Sequence, residues 1–184
     1  MDRRRSGSAQ GPVAPALRVV TQPGHKQRGV LLWRGSRIPV ALGRAGIRHA
    51  KKEGDGATPA GIWRLVELRW RADRGARPVT RLPIRPIRRD DGWCDDPADR
   101  RYNRPVRLPL RASHEEMWRA DRLYDLVIVL DHNQRPRKAR GGSAVFLHLE
   151  RPDGGPTAGC VAFRPADLRR LLPHLRPGTR LRIG

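Results

Sequence analysis

The sequence predicts a mainly β domain with a few short helices. Three observations carry that prediction. Apolar segments of strand length follow one another at close spacing from Leu17 onward, glycine and proline punctuate the gaps, and a sustained helical period occurs only near the C-terminus.

Leu17-Arg18-Val19-Val20 reads as the first strand and Gly29-Val30-Leu31-Leu32-Trp33 as the second, with Arg34-Gly35-Ser36 turning the chain after it. Ile38-Pro39-Val40-Ala41-Leu42 is a third, and its proline, which has no N–H to donate, predicts a sheet edge. Residues 52–61 are dense in residues that permit tight or left-handed backbone and form a loop. Residues 62–70 alternate apolar with mostly polar side chains, which is the period of a strand. Residues 78–110 are rich in proline and arginine and have few clear strands; a segment of that kind usually builds a site or covers one. Ser113 with Glu116 three positions on is a capping pattern, and it predicts a short helix that carries Met117 and Trp118 toward the core.

Leu126-Val127-Ile128-Val129-Leu130 is the most apolar run and predicts a central strand. Ala144-Val145-Phe146-Leu147-His148-Leu149 predicts a strand that carries a histidine, followed by a loop with Pro152, Gly154, Gly155 and Pro156. Pro165 stands where a helix begins, Leu168, Leu171, Leu172 and Leu175 follow at helical spacing, and Pro177-Gly178 stops them. Leu181-Arg182-Ile183 closes as a last strand. Residues 1–16 read as a disordered leader: a basic start without an apolar stretch behind it, then small polar residues and proline. Residues 17–184 are expected to be one domain, in keeping with a length of 184 residues.

The formal net charge is +21, and lysine contributes only Lys26, Lys51, Lys52 and Lys138 to the 39 basic residues. Such a field attracts polyanions. The arginines are scattered singly, however, and no helix-turn-helix, zinc finger or aromatic-rich RNA-binding strand accompanies them, so charge alone selects no function. Cys94 and Cys160 form no C-x-x-C pair and the six histidines do not cluster, which argues against a structural metal site. No metal and no cofactor are expected. No apolar run is long enough to span a bilayer.

His148 and Cys160 stand 12 residues apart across a glycine- and proline-rich return, which is long enough to bring the two side chains together. Thiol catalysis needs such a neighbouring base, and it needs amides aimed at the developing oxyanion. Gly159 permits the required turn, and Thr157 offers a hydroxyl that steadies the turn or touches substrate. Each residue taken alone also reads as ordinary core, and spacing does not separate the two readings. Cys94 reads as a packed thiol, Trp118 and Tyr124 as core, and Asp55 and Thr58 as turn-shaping. Tyr102 and Asn103 read as bordering a cleft.

Thr157-Ala158-Gly159-Cys160-Val161 after an upstream strand histidine resembles the active-site signature of the YkuD-type L,D-transpeptidases. Gly54-Asp55-Gly56-Ala57-Thr58-Pro59-Ala60-Gly61 resembles the family's Thr-Pro-x-Gly segment. Trp93-Cys94-Asp95-Asp96-Pro97, Tyr102-Asn103, Trp118-Arg119-Ala120-Asp121 and the run from Gly142 to His148 resemble a single-domain proteobacterial branch. The resemblance implies a β-sandwich catalytic domain in which Cys160 attacks a peptidoglycan stem peptide and carries a thioester. His148 is the implied base, oriented by a backbone carbonyl for which Leu149 is the expected position, and Gly159 and Cys160 are the implied oxyanion donors. Thr157, Ala158, Tyr102, Asn103 and Arg164 are the implied substrate contacts. Arg164 enters because Ala162 stands where many members carry arginine, and Leu149 replaces a frequent glycine. The resemblance further implies donor and acceptor stem peptides as partners, a monomer, a periplasmic location and acylation by carbapenems. Nucleic acid is not an expected partner. Two alternatives stand beside cross-linking: hydrolysis of the same acyl-enzyme, as an L,D-carboxypeptidase, and a basic polyanion-binding module without catalysis.

Overall fold

In the computed structural model, which describes residues 17–184, the short apolar segments become strands that close on one another. In chain order these are β1 (Leu17–Gln22), β2 (His25–Trp33), β3 (Ser36–Ala41), β4 (Ile47–Arg48), β5 (Thr58–Pro59), β6 (Gly61–Trp70) and β7 (Ile84–Pro86). There follow β8 (Asp91–Cys94), β9 (Arg104–Arg107), β10 (His114–Glu116), β11 (Leu126–Leu130), β12 (Phe146–Leu149) and β13 (Val161–Phe163). Helix α1 (Pro165–Leu171), with a single 3-10 turn over Leu172–His174, and β14 (Arg180–Ile183) complete the chain. The predicted leader, residues 1–16, lies outside the described residues.

The principal sheet has nine strands in the order β11-β12-β13-β3-β2-β1-β14-β6-β7, and β11 also pairs with β6. The ten-residue β6 makes this possible, because residues 61–64 pair with β14 while residues 65–70 pair with β11. Hydrogen bonding therefore runs unbroken around eight strands, and the sheet closes on itself.

All residues of β11, β12 and β13 are buried, and side chains alternate between faces along a strand. Leu126, Ile128, Leu130, Leu147, Leu149, Val161 and Phe163 face the main core, which α1 closes with Leu168 and Leu171. Val127, Val129, Phe146 and Cys160 face a second cluster with Trp93, Met117 and Tyr124. This is why the runs read as continuously apolar: each has a core on both sides. The second cluster exists because residues 71–125 fold back as a cover, whose three-stranded sheet has the order β10-β8-β9. The proline- and arginine-rich segment thus does build and cover a site.

Two sequence expectations are corrected. Residues 114–116 form β10, not a helix. They pair with β8, His114 opposite Cys94 and Glu116 opposite Gly92, and the Ser113 carbonyl is taken by the Asp95 amide at 3.2 Å. Nonlocal pairing satisfies the backbone there, so the capping pattern is overridden, although Met117 does reach the core at 0% exposure. Pro39 does not mark an edge strand, since β3 lies between β2 and β13. The pairing with β13 uses only Val40 and Ala41, so the missing N–H falls just outside it.

Candidate active site

A cleft of about 560 Å³ opens between the β12–β13 floor and the cover. Strands β12 and β13 are parallel, with His148 opposite Ala162. Cys160 precedes Ala162 by two residues, so the strand period turns it to the same side as His148. All three residues line the cleft.

The turn that presents Cys160 is clasped from both sides. The Thr157 hydroxyl donates to the Cys160 carbonyl at 2.7 Å and accepts the Gly159 amide at 3.1 Å. Thr58, fully buried, donates to the same carbonyl at 3.4 Å and accepts the Gly43 amide at 2.8 Å. Gly159 has φ +148°, and a Cβ there would lie 2.9 Å from the Ala57 carbonyl oxygen, so both conformation and space require glycine. The 54–61 loop is therefore the back support of the cysteine turn.

The thiol itself is held by backbone. It donates to the Ala144 carbonyl at 3.2 Å and accepts the Phe146 amide at 3.3 Å. Burial, reinforced by the negative charge of Glu115, pushes it up to about 12, against the Phe146 amide and Lys51, which favour the thiolate. Burial likewise pushes His148 down to about 4, against its hydrogen bond to the Leu149 carbonyl, which favours the charged ring. The resting pair is thus a neutral thiol and a neutral imidazole. The ring's Nδ1 lies 2.7 Å from the Leu149 carbonyl oxygen. A carbonyl only accepts, so Nδ1 carries the proton and Nε2 keeps its lone pair. Tyr124 closes over the ring edge-on, 5.3 Å between centroids.

Among the residues expected at the site, Cys160, His148, Gly159, Thr157 and Ala158 come together on the cleft wall. Leu149 points its side chain into the main core and serves the site through its carbonyl. The Gly159 amide, one of the two expected oxyanion donors, is engaged here by the Thr157 hydroxyl. Tyr102 and Asn103 do not border the cleft. They lie behind it at 2% exposure and pin its rim: the Tyr102 hydroxyl accepts the Gly142 amide, and Asn103 Oδ1 accepts the Ala144 amide. Arg164 is also misplaced by the sequence argument. It follows β13 into a different groove, beside Glu150 at 3.6 Å. The exchange of arginine for Ala162 is therefore not compensated from that position.

Sequence reasoning missed several wall residues: Lys51, Asp95, His114, Glu115 and Ser143. Asp95 and Ser143 stand in segments that resemble the family, whereas Lys51, His114 and Glu115 carried no such signal, because the fold brings them to the cleft from distant parts of the sequence. Cys94, by contrast, is a packed thiol at 0% exposure, and both cysteines are free. Among the described residues no group of three or more His, Cys, Asp or Glu side chains is placed to hold a metal ion. No helix among them is long and apolar enough to cross a membrane.

Comparison with known proteins adds the family. The model of YkuD, the L,D-transpeptidase catalytic domain, matches residues 20–183. The crystal structure of Mycobacterium tuberculosis L,D-transpeptidase 1 is similar at a TM-score of 0.40 and 12% identity; the match covers 92% of this chain, which spans 62% of that one. No curated protein sequence matches. With the match running through almost all of the described residues, the chain belongs to the YkuD family of L,D-transpeptidase catalytic domains.

Proposed function

We propose that the protein is a peptidoglycan L,D-transpeptidase that works through a thioester on Cys160. The observation that supports this best is the shared face of His148 and Cys160 on paired strands, with the imidazole tautomer fixed by Leu149. His148 Nε2 takes the thiol proton as the sulfur attacks the carbonyl of the L-centre of a diamino acid in the donor stem. The bond to the following D-alanine breaks, and its amine leaves with the proton from His148. An amine of a second stem then attacks the thioester, the C–S bond breaks, and a cross-link forms. Because the resting thiol is neutral, ionisation accompanies attack and does not precede it. The Cys160 amide is the proposed first oxyanion donor; Gly159 joins only by releasing Thr157.

The test is intact mass after incubation with a carbapenem. A one-drug adduct on the native protein, lost in Cys160→Ala, is the expected result. An adduct that persists in the variant sinks the assignment of the nucleophile, and no adduct on folded native protein counts against the acyl-enzyme. The work belongs to the cell wall, and a periplasmic location is proposed with it.

A further inference from the structure

The walls of the cleft differ in charge. Lys51, Arg44 and Arg151 outnumber Glu53 on the loops around the cysteine turn, whereas on the cover Asp95, Glu115 and Glu116 outnumber Arg119. Within the acidic wall, Glu115 is tied to the catalytic pair. Its Oε1 accepts the hydroxyl of Tyr124, the same ring that packs edge-on against His148. Its Oε2 has no hydrogen-bond partner among the described residues. Two further acceptors in this cleft also lack partners: Asp95 Oδ1, and the hydroxyl of Ser143, a residue only 9% exposed. A free carboxylate oxygen on an acidic cleft wall suits a ligand that brings N–H donors on a positive centre. A primary ammonium has that form, with three donors and no acceptor.

We propose that Glu115 is the acceptor-side base of the cleft, receiving the ammonium of the incoming stem and removing a proton from it. This rests on the acyl-enzyme reading above and deepens it. The free carboxylate oxygen takes one proton from R–NH3⁺ to leave R–NH2. The nitrogen lone pair forms the bond to the thioester carbonyl, and the C–S bond breaks with its electron pair left on Cys160 sulfur. The second proton lost by nitrogen passes to His148 Nε2 and on to the sulfur. Glu115 ends protonated, Cys160 ends as thiol, and the charges of ammonium and carboxylate cancel. Water needs no such deprotonation before it reaches the thioester, so Glu115 favours aminolysis over hydrolysis. Burial lifts the Glu115 carboxyl above its ordinary value, opposed by Tyr124 and Arg119 and supported by Asp95 and Glu53, and a raised carboxylate is the better proton acceptor.

The test compares native protein with Glu115→Gln, using a disaccharide tetrapeptide as both donor and acceptor. Acyl-enzyme is followed by intact mass, and cross-linked dimer and hydrolysed tripeptide by chromatography. The expected variant still forms the acyl-enzyme, and its dimer-to-tripeptide ratio, which reads only the fate of that acyl-enzyme, falls by at least about tenfold. The deficit should shrink as pH rises and solvent deprotonates the amine. Glu115→Asp keeps the carboxylate and should recover part of the ratio, and it carries the test if the glutamine variant does not fold. An unchanged ratio with normal acylation overturns the role of Glu115 and leaves the proposed function standing. Loss of acylation in a folded Glu115→Gln overturns the acceptor-only assignment. Failure of the native protein to acylate overturns the proposed function and this inference with it.

Discussion

Asn103 makes four hydrogen bonds from one amide group. Oδ1 accepts the Trp93 indole N–H at 3.0 Å and the Ala144 amide at 3.1 Å, and Nδ2 donates to the carbonyls of His132 at 3.0 Å and Asn133 at 2.9 Å. It does so at φ +53°, a left-handed conformation that asparagine tolerates better than most residues. Since Ala144 in turn accepts the Cys160 thiol, Asn103 is a positioning residue one step removed from the chemistry. Asn103→Ala should lower stability by about 3 kcal/mol, the order expected when several buried groups lose partners, and should slow acylation; urea unfolding and the adduct assay check both. His148 gives a second expectation. Its folded value of about 4 lies below the ordinary 6.5, so between those values the unfolded chain binds more protons and stability must fall as pH falls. The linked loss approaches roughly 3 kcal/mol in full, and urea midpoints across that range, compared with His148→Gln, should reveal it. Of the residue-scale picture, the meeting of Cys160 and His148 on one wall was legible, Cys160 from the short motif around it and His148 from the strand upstream. The role of Asn103 was not, because its partners lie 10 to 41 positions away in sequence.

At the scale of elements, local signals succeeded where one element decides its own fate. Pro165 does open α1, and the leucines after it are buried. The signal at Ser113 failed because β8 offers 114–116 a better set of partners than a helix offers. A true N-cap serine is worth about 1 kcal/mol, whereas Ser113 here is exposed and uses its carbonyl. Ser113→Ala should therefore change stability by less than about 0.5 kcal/mol, measurable by thermal unfolding, and a loss near the capping value would restore the helix. The five-residue β11 was readable as central from its unbroken apolar run. Which strand lies on either side of it was not, since pairing partners leave no mark on a run buried on both faces.

Over the whole molecule, much of the acidic complement is consumed locally. Asp73, Asp99, Asp121 and Asp153 are each clasped by an arginine two positions away, Arg71, Arg101, Arg119 and Arg151. Pairs of this kind contribute little each when exposed, and they leave a net charge of +21 that repels itself. Raising ionic strength from about 10 mM to about 150 mM, which shortens the screening length from about 30 Å to about 8 Å, should raise the melting temperature; a fall would mean that the ion pairs outweigh the repulsion. The charge was plain in the sequence, but the closed ring was not, because closure depends on β6 pairing with β14 through one half and β11 through the other.

That closure bears on how the cleft can be reshaped. The ring holds the cysteine turn, the histidine and the strands beneath them, while residues 71–125 contribute much of the opposite wall of the cleft as an inserted excursion. Frame and wall are knit together by the second cluster, by β7 on β6, and by Asn103 and Tyr124, while Asp95, Glu115 and Glu116 stand on the cleft side of the wall. Substitutions at those cleft-side positions can therefore reshape the wall while the frame keeps Cys160 and His148 on one face.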